Sequence, residues 1–508
     1  MAAKRLKQSF LKVRLLQWNI LADGLGNDGF LTTEFSPICE SLDPDAKGYT
    51  SIEFMKMVRE AKLADKRSGA TETFANLKIE EKKLKKMKLS GEFTDSVEDV
   101  ETKISELKEK ANQSRLVQLK KQFQNSPQLA KIDEEILAWS MRYDRIKAIV
   151  LCADPDIITF QEMDHVKQFM DDVIFASKYT CVVDKSKTYS PASYSMNGSN
   201  DDLSSDKYLQ HLLDSRTAFA PKSYSNAYML RSKRSKLEID LDDDGVVVFW
   251  KKSIFQPVEL GFLQLPQDHK DHAVVALTLK HLETKELINV LTSHLPAGDD
   301  PKKEKERLDV LNNPSKKWAA RRICVVDNVW KEVPYERVNN FVGTASFVRY
   351  FAERIDVDTS RTIFALDANS RPTFPLTEHD PSSTETNVWQ TILRETKLKS
   401  IWVQSSFLNQ NGTARDSEYP YIVSVNKMRG PSSSQPSKIG EHQLELIDHV
   451  FSNGLKSILL REIDLNANVK VPMAPILYKS KGEKAELNLY PTSKMPSDHL
   501  PIIVDITL

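Results

Sequence analysis

The 508-residue sequence is missing three features, and each absence removes a class of protein. There is no apolar run long enough to cross a bilayer, so a membrane-spanning helix is excluded and no membrane partner is expected. There is no net charge, since Lys plus Arg and Asp plus Glu both number 71. A polyanion is therefore not drawn to the molecule as a whole, and any contact with RNA or DNA must be a local patch. Cysteine is scarce: the four residues Cys39, Cys152, Cys181 and Cys324 lie far apart with no CxxC spacing. That pattern speaks against disulfides and against a thiolate zinc site, and it places free thiols in a reducing compartment, cytosol or nucleus.

What remains is an ordinary globular composition, with 40% hydrophobic and 28% charged residues. The length fits either two domains or one large sandwich domain with insertions and does not by itself choose between them; one domain spanning residues 1–508 is the reading carried forward. The basic start, Met1-Ala2-Ala3-Lys4-Arg5-Leu6-Lys7, has a mitochondrial presequence as its functional reading. A short solvated lead-in is the competing one, because an apolar strand begins near Val13 and leaves little room for a cleavable peptide.

That first strand, Val13 to Leu21, alternates and then turns apolar, and Gly24 and Gly26 close it. From Ser51 to Lys131 the composition shifts to Lys, Glu, Leu and Met without a strand signal, which predicts a helical insertion. Val97, Val100, Ile104, Leu107 and Ala111 recur at three-four spacing, and Asp95 with Glu98 forms an N-cap pair. A short antiparallel coiled-coil hairpin satisfies this pattern, and it is where a protein partner is expected to dock. The Lys82 to Lys88 cluster reads as a solvated helix face, with a grip on RNA as the alternative. Ile132 to Leu151 reads as a helix, and the Ser, Asn and Asp-rich stretch 186–205 as a mobile loop. Buried strands are expected at Ile157–Glu162, Gly245–Trp250, Ala273–Leu279, Ile288–His294, Thr362–Asp367, Ile447–Phe451 and Ile502–Ile506. Strands at irregular intervals, with helices between some of them, predict two mixed sheets packed face to face and flanked by helices.

Five of these strands carry at one end a residue that binds metal or moves protons: Asn19, Glu162, His294, Asp367 with Asn369, and Asp498 with His499 ahead of the last strand. One such residue alone is more often a structural cap than a ligand; several together are hard to explain as caps. Hydrolysis of a phosphate ester needs a hard cation on oxygen ligands, an activated water, and donors for charge on the phosphoryl oxygens. The set offers all three. Mg²⁺, or Mn²⁺ in its place, is the ion such ligands suit.

Seven segments then bring a family with them. Gln17-Trp18-Asn19-Ile20-Leu21-Ala22, Phe160-Gln161-Glu162-Met163-Asp164, Asp244-Gly245, Ser293-His294-Leu295, Leu366-Asp367-Ala368-Asn369-Ser370, Ile447-Asp448-His449-Val450-Phe451 and Pro496-Ser497-Asp498-His499-Leu500-Pro501 resemble, in order, the motifs of the deadenylase and nocturnin branch of the endonuclease/exonuclease/phosphatase superfamily. The resemblance covers the chain from end to end apart from the helical insertion and the Ser/Asn loop. It implies a four-layer α/β sandwich whose active site lies where strand ends of both sheets meet. It also implies roles: Glu162 as main Mg²⁺ ligand, Asn19 beside it through water, and Asp498 nearby. Asp367 and Asn369 would orient and deprotonate the attacking water, or help hold a second metal. His499, held in its tautomer by Asp448, would stabilise the pentacovalent phosphorus, and His294 would donate to a phosphoryl oxygen.

Lys222 matches a substrate-contacting position of the family, and Arg307 is a second candidate for such contact, with ordinary surface salt bridging as the competing reading of both. Lys427, Met428 and Arg429, beside the Ser/Pro-rich stretch 430–437, form a possible phosphate-binding rim. Pro296 and Gly298 stand where nocturnin-like enzymes tend to be basic, and cations return only at Lys302 and Lys303. The implied substrate is RNA, most simply a poly(A) tail cut 3′ to 5′. A nucleotide cofactor such as NADP(H), losing its 2′-phosphate, is the alternative, and an inactive RNA- or partner-binding module is the reading from a different class.

Overall fold

The computed structural model describes residues 11–21, 30, 51–90, 95–124, 136–163, 165, 168–169, 172, 174–175, 178, 217–221, 245–264, 273–298, 300–315, 318–326, 329–335, 341–353, 361–373, 387–430, 438–454, 456–466, 469–480, 489–492 and 494–508. The basic start, the 186–205 stretch and Lys222 lie outside the described residues.

The strands run in chain order β1 (Lys12–Asn19), β2 (Ile157–Met163), β3 (Thr217–Pro221), β4 (Gly245–Trp250), β5 (Phe255–Gln264), β6 (Ala273–His281), β7 (Leu287–His294), β8 (Ala319–Val326), β9 (Val329–Glu332), β10 (Arg361–Asp367), β11 (Lys399–Ser400), β12 (Tyr421–Val423), β13 (Val425–Met428), β14 (His442–Glu445), β15 (Asp448–Ser452), β16 (Lys456–Leu459), β17 (Glu462–Asn466), β18 (Val469–Pro472), β19 (Ile476–Tyr478) and β20 (Ile502–Thr507). The described helices are α1 (Ser51–Ser68), α2 (Ala70–Ser90), α3 (Asp95–Asn112), α4 (Arg115–Gln124), α5 (Trp139–Ala153), α6 (Pro301–Leu311), α7 (Thr344–Ala352), α8 (Val388–Thr396) and α9 (Ile401–Gln404).

Two mixed sheets dominate. The six-stranded one has the order β16-β20-β1-β2-β4-β3 and the eight-stranded one the order β11-β15-β10-β7-β6-β5-β8-β9. They pack face to face, with β2 and β4 against β6 and β7, and β1 against β10 and β15. Both faces of the central strands are covered. That is why β4, Gly-Val-Val-Val-Phe-Trp, is buried along its whole length and does not alternate. On the outside, α5 buries Ile146, Ile149 and Val150 in the core shared with β1 and β2, and α7 packs on β7 and β10. This is the α/β sandwich of two packed mixed sheets that the strand pattern predicts. No described helix is long and apolar enough to cross a membrane.

Although β1 and β2 pair in parallel, helices α1 to α4 stand between them in the chain. Met87, Val100 and Ile104 form a small apolar core with Leu77, Leu84 and Val97. The ion pairs Lys103–Glu80 and Lys108–Glu81 also join α2 to α3. Its root is a different matter. Asp65 of α1 is buried and caps α4, accepting from Ser114 Oγ at 2.6 Å, Arg115 N at 2.6 Å and Leu116 N at 3.2 Å. Val58, Ala61, Leu116 and Leu119 then pack with Leu21, Phe30 and Met428, residues of the main body next to the site.

Candidate active site

The register of β10 sets the level of the site. Asp367 lies beside His294 on β7 and beside Asp448 on β15. Across the interface, β1 and β2 place Asn19 beside Gln161, so Glu162 follows immediately. The two groups meet. Asn19 Nδ2 donates to Asp367 Oδ2 at 2.8 Å and to Glu162 Oε1 at 3.1 Å. His294 Nε2 lies 3.4 Å from Asp367 Oδ2, 3.8 Å from Glu162 Oε1 and 2.9 Å from Asn369 Nδ2.

Local backbone geometry aims these side chains. Strand β2 pairs with β4 through Gln161↔Val246 and Met163↔Gly245, so Glu162 is the extra residue of a bulge, with φ of 54°. Asn369 at 48° and Leu21 at 60° are also left-handed. Three such residues at the strand ends of one site cost roughly 1–3 kcal/mol each, strain the surrounding packing must outweigh. Asn369 is held in place by donating to Leu295 O at 3.0 Å, while its own N–H donates to Asp367 Oδ1 at 2.8 Å.

His499 arrives on the turn before β20. Its Nδ1 is 2.8 Å from Asp448 Oδ2, which leaves Nε2 facing Asp367 Oδ2 at 3.8 Å. Asp448 also accepts from Ser424 Oγ at 2.7 Å and, on its other oxygen, from Gln17 Nε2 at 3.2 Å. Gln17 donates to Gln161 as well, and Gln161 to Thr292 Oγ1, so a buried polar chain crosses between the sheets beneath the site. Ser497 Oγ donates to Asn19 O at 2.7 Å, and the indole N–H of Trp18, a buried core residue, donates to His499 O at 2.8 Å.

Electrostatics follow from burial and crowding. Burial and the neighbouring Asp448 carboxylate push Asp367 up to about 7, against the opposing pull of His499 and its hydrogen bonds. Burial alone would lower His499, but the carboxylates of Asp448, Asp498 and Asp367 outweigh it and raise the ring to about 10. Burial likewise works against ionised Asp498, yet Lys427 and His499 hold it well below the usual carboxylate range. Asp367, Asp448 and His499 offer ligand atoms within 4.8 Å of one another. Asp448 is already engaged by three donors, while Asp367 accepts from Asn19 on one oxygen and from the Asn369 N–H on the other.

One expectation changes. Arg307 does not face a substrate, nor is it a surface salt bridge. It is fully buried, paired with Glu304 at 3.0 Å, and donates to Pro296 O and Gly298 O at 2.7 Å each. Glu304 in turn accepts from Ser370 Oγ and Val388 N, so the pair ties together the loops that leave His294 and Asn369. Asp498, expected near the metal, has Lys427 Nζ at 2.5 Å from Oδ2. Of the two cations after Gly298, Lys303 pairs with Glu306 at 2.7 Å.

Sequence reasoning missed one group that matters. Arg142 of α5 is fully buried and donates to Pro496 O at 2.8 Å, to Ile20 O at 2.5 Å and to Leu21 O. It joins the chain just after Asn19 to the chain just before Asp498. The helix pattern gave no signal for it, since an arginine on an amphipathic helix reads as surface.

No protein-family model matches the chain, and no curated protein matches it. Among solved structures it is similar to the human nocturnin catalytic domain with bound sulfate, at 15% identity, covering 73% of this chain and 87% of that one with a TM-score of 0.37. It is similar to ANGEL2, a 2′,3′-cyclic phosphatase, at 13% identity, 73% and 87% coverage and a TM-score of 0.38. It is also similar to an endonuclease/exonuclease/phosphatase family protein from Bacteroides thetaiotaomicron, at 13% identity, 73% and 90% coverage and a TM-score of 0.35. These likenesses concern the fold; the functional reading rests on the site.

Proposed function

We propose that this chain is a divalent-metal-dependent phosphoesterase of the endonuclease/exonuclease/phosphatase kind, acting as a 3′-to-5′ exoribonuclease on poly(A) or similar RNA tails. The observation that carries the hydrolytic reading is the convergence, from both sheets, of Asn19, Glu162, Asp367, Asn369, His294 and the His499–Asp448 pair. The RNA reading is supported by the ordered motif series from Asn19 to His499.

The donors fit a hard cation. Two carboxylates lean on one neutral amide, and burial together with the neighbouring Asp448 carboxylate raises Asp367 to about 7, a cost to its charge that a divalent ion beside it would offset. Glu162 and Asp367 would hold Mg²⁺ or Mn²⁺, which when bound supplies charge for the phosphoryl oxygens and acidifies water. The remaining work belongs to the chain. Asp367, with Oδ1 fixed by the Asn369 N–H, accepts the proton of the attacking water through Oδ2. His499, its Nδ1 fixed on Asp448, presents a donor at Nε2 to the phosphoryl group as charge develops. Asn369, anchored on Leu295 O, and His294 border the same space and orient the phosphoryl oxygens.

Pure protein incubated with Mg²⁺ and, in parallel, A-tailed RNA, unstructured non-A RNA and NADP(H) tests both levels. Stepwise shortening of the A-tailed RNA from its 3′ end, abolished by EDTA, is expected. Release of phosphate from NADP(H) with intact RNA would replace the RNA reading by the cofactor-phosphatase one. Full activity in EDTA would overturn the mechanism.

A further inference from the structure

Asp498 Oδ2 is 2.5 Å from the Lys427 ammonium and 4.0 Å from His499 Nε2, so a lysine sits inside the acidic centre. It is not a surface side chain that happened to reach inward. Its strand β13 pairs with β14 on one edge, through Val425↔Glu445, Asn426↔Leu444 and Lys427↔Gln443. On its other side Tyr490 N donates to Asn426 O and Leu500 N to Ser424 O, both at 2.8 Å, and Val425 bridges to His499 itself. The ammonium also lies 5.9 Å from the ring centroid of Phe30, over which the Arg429 guanidinium sits at 5.0 Å. Backbone pairing on both edges fixes the Lys427 backbone, and its side chain, 14% exposed, reaches inward to Asp498 past the Phe30 ring.

We propose that Lys427 occupies the place of a second divalent ion, so that the site takes a single metal, at Glu162 and Asp367, and Asp498 serves as the anchor of a resident ammonium instead of as a metal ligand. The inference rests on the metal-dependent reading above and adds the number of ions. A divalent cation on Asp498 would lie about 2.0–2.6 Å from the carboxylate oxygen, against an ammonium already bonded there. Two cations cannot share that oxygen without strong repulsion, so an ion there would have to displace the ammonium from its carboxylate. The ammonium instead gives the centre a fixed positive charge that needs no metal to fill it. Lysine, a compact point charge with three donors, suits that place better than a planar guanidinium.

Counting Mn²⁺ bound to the full chain by electron paramagnetic resonance, after metal removal by chelation, tests this without any turnover. The wild type is expected to bind one ion per chain up to millimolar Mn²⁺. Lys427→Met should bind two, and Lys427→Met with Asp498→Asn should return to one. If Lys427→Met does not fold, Lys427→Gln, which keeps a donor for Asp498 but no charge, takes its place. Two ions in the wild type would overturn the proposal, as would a folded Lys427→Met that still binds one. Failure of the wild type to bind any ion would remove the metal-dependent reading and this proposal together. One ion without hydrolysis of any substrate would leave this proposal standing while the activity reading falls.

Discussion

Asn19, on the six-stranded sheet, donates its side-chain amide to Asp367 on the eight-stranded sheet at 2.8 Å, and the same nitrogen reaches Glu162 at 3.1 Å. One neutral donor thus stands between two carboxylates of different setting. Asp367 is buried among Asp448, His499 and His294, whereas Glu162 is delivered by a bulge and is partly open. Their substitutions should separate accordingly. Glu162→Gln removes a full charge from the metal position, so raising Mg²⁺ should recover part of the rate. Asp367→Asn loses a charge at the metal position too, but it also leaves no proton acceptor for the water, so turnover should fall by roughly 10²- to 10⁴-fold and added metal should not restore it. Turnover of one substrate across a Mg²⁺ series for each variant decides. Rescue of Asp367→Asn but not of Glu162→Gln would reverse the two roles.

Arg142 supplies a second prediction. Its fork spans Pro496 O and the carbonyls of Ile20 and Leu21, fixing how Asn19 and His499 face each other. Arg142→Lys keeps the charge but not the fork, so kcat should drop by roughly tenfold to a hundredfold while KM for substrate changes little. Arg142→Met leaves buried carbonyls unpaired and should lower stability by roughly 2–5 kcal/mol, read from urea unfolding. A wild-type kcat in Arg142→Lys would show that the fork does not position the site.

Part of this was open to reading from the chain alone, and for a physical reason. Strands β2, β7 and β10 are apolar runs ending in Glu162, His294 and Asp367, and a polar residue at the end of a buried run stands out. Strands such as β5, which contains Pro257 and Gly261, and β8, which contains Arg321 and Arg322, carry no such signal. Gly261 is explained only by tertiary packing, because a Cβ there would lie 2.7 Å from Tyr335 Oη. Arg307 read as a substrate contact or a surface salt bridge, yet it is buried with Glu304, one turn earlier, as its partner inside the fold. Lys427 lies on a strand of four residues, too short for any periodicity to mark it. Partners brought together by the sheets from distant parts of the chain, such as Gln17 with Asp448, leave no local pattern to find.

His449 gives the pH prediction. It is fully buried, Nε2 meets Ser370 O at 3.0 Å, and Nδ1 has no hydrogen-bond partner among the described residues. Burial lowers its pKa from 6.5 to about 4, against the raising effects of Ser370 O and Asp448. Between those values the unfolded chain binds the proton and the folded one does not. Stability is therefore retained above about 6.5 and lost as pH falls toward 4, by roughly 3 kcal/mol from this group. His449→Gln, which keeps a donor for Ser370, should be less stable at neutral pH but show a shallower decline across this window. Chemical denaturation at a series of pH values measures the difference in slope, and equal slopes would contradict the assignment.

The helical region yields the last prediction, and the structure narrows it. Outside the site as it is, residues 51–130 would on sequence grounds be removable without loss of hydrolysis. The root contradicts so simple a cut, because Val58, Ala61, Leu116 and Leu119 cover Leu21, Phe30 and Met428. Leu21 lies two residues beyond Asn19, and Met428 follows Lys427. Uncovering buried leucine, phenylalanine and methionine costs about 1.5–3 kcal/mol each, enough to unfold the rim of the site. The outer hairpin is different, since Met87, Val100 and Ile104 form a separate small core. Asp65 caps α4, so the ends of α1 and α4 are already adjacent. Replacing residues 69–113 by a short flexible linker should therefore leave the thermal midpoint within a few degrees of wild type and hydrolysis of a small generic phosphodiester intact. Removing 51–130 should lower the midpoint strongly and abolish turnover with it. Differential scanning calorimetry paired with a phosphodiester assay on both deletions checks the distinction. Loss of turnover in the short deletion at an unchanged midpoint would mean that the hairpin itself contributes to the site.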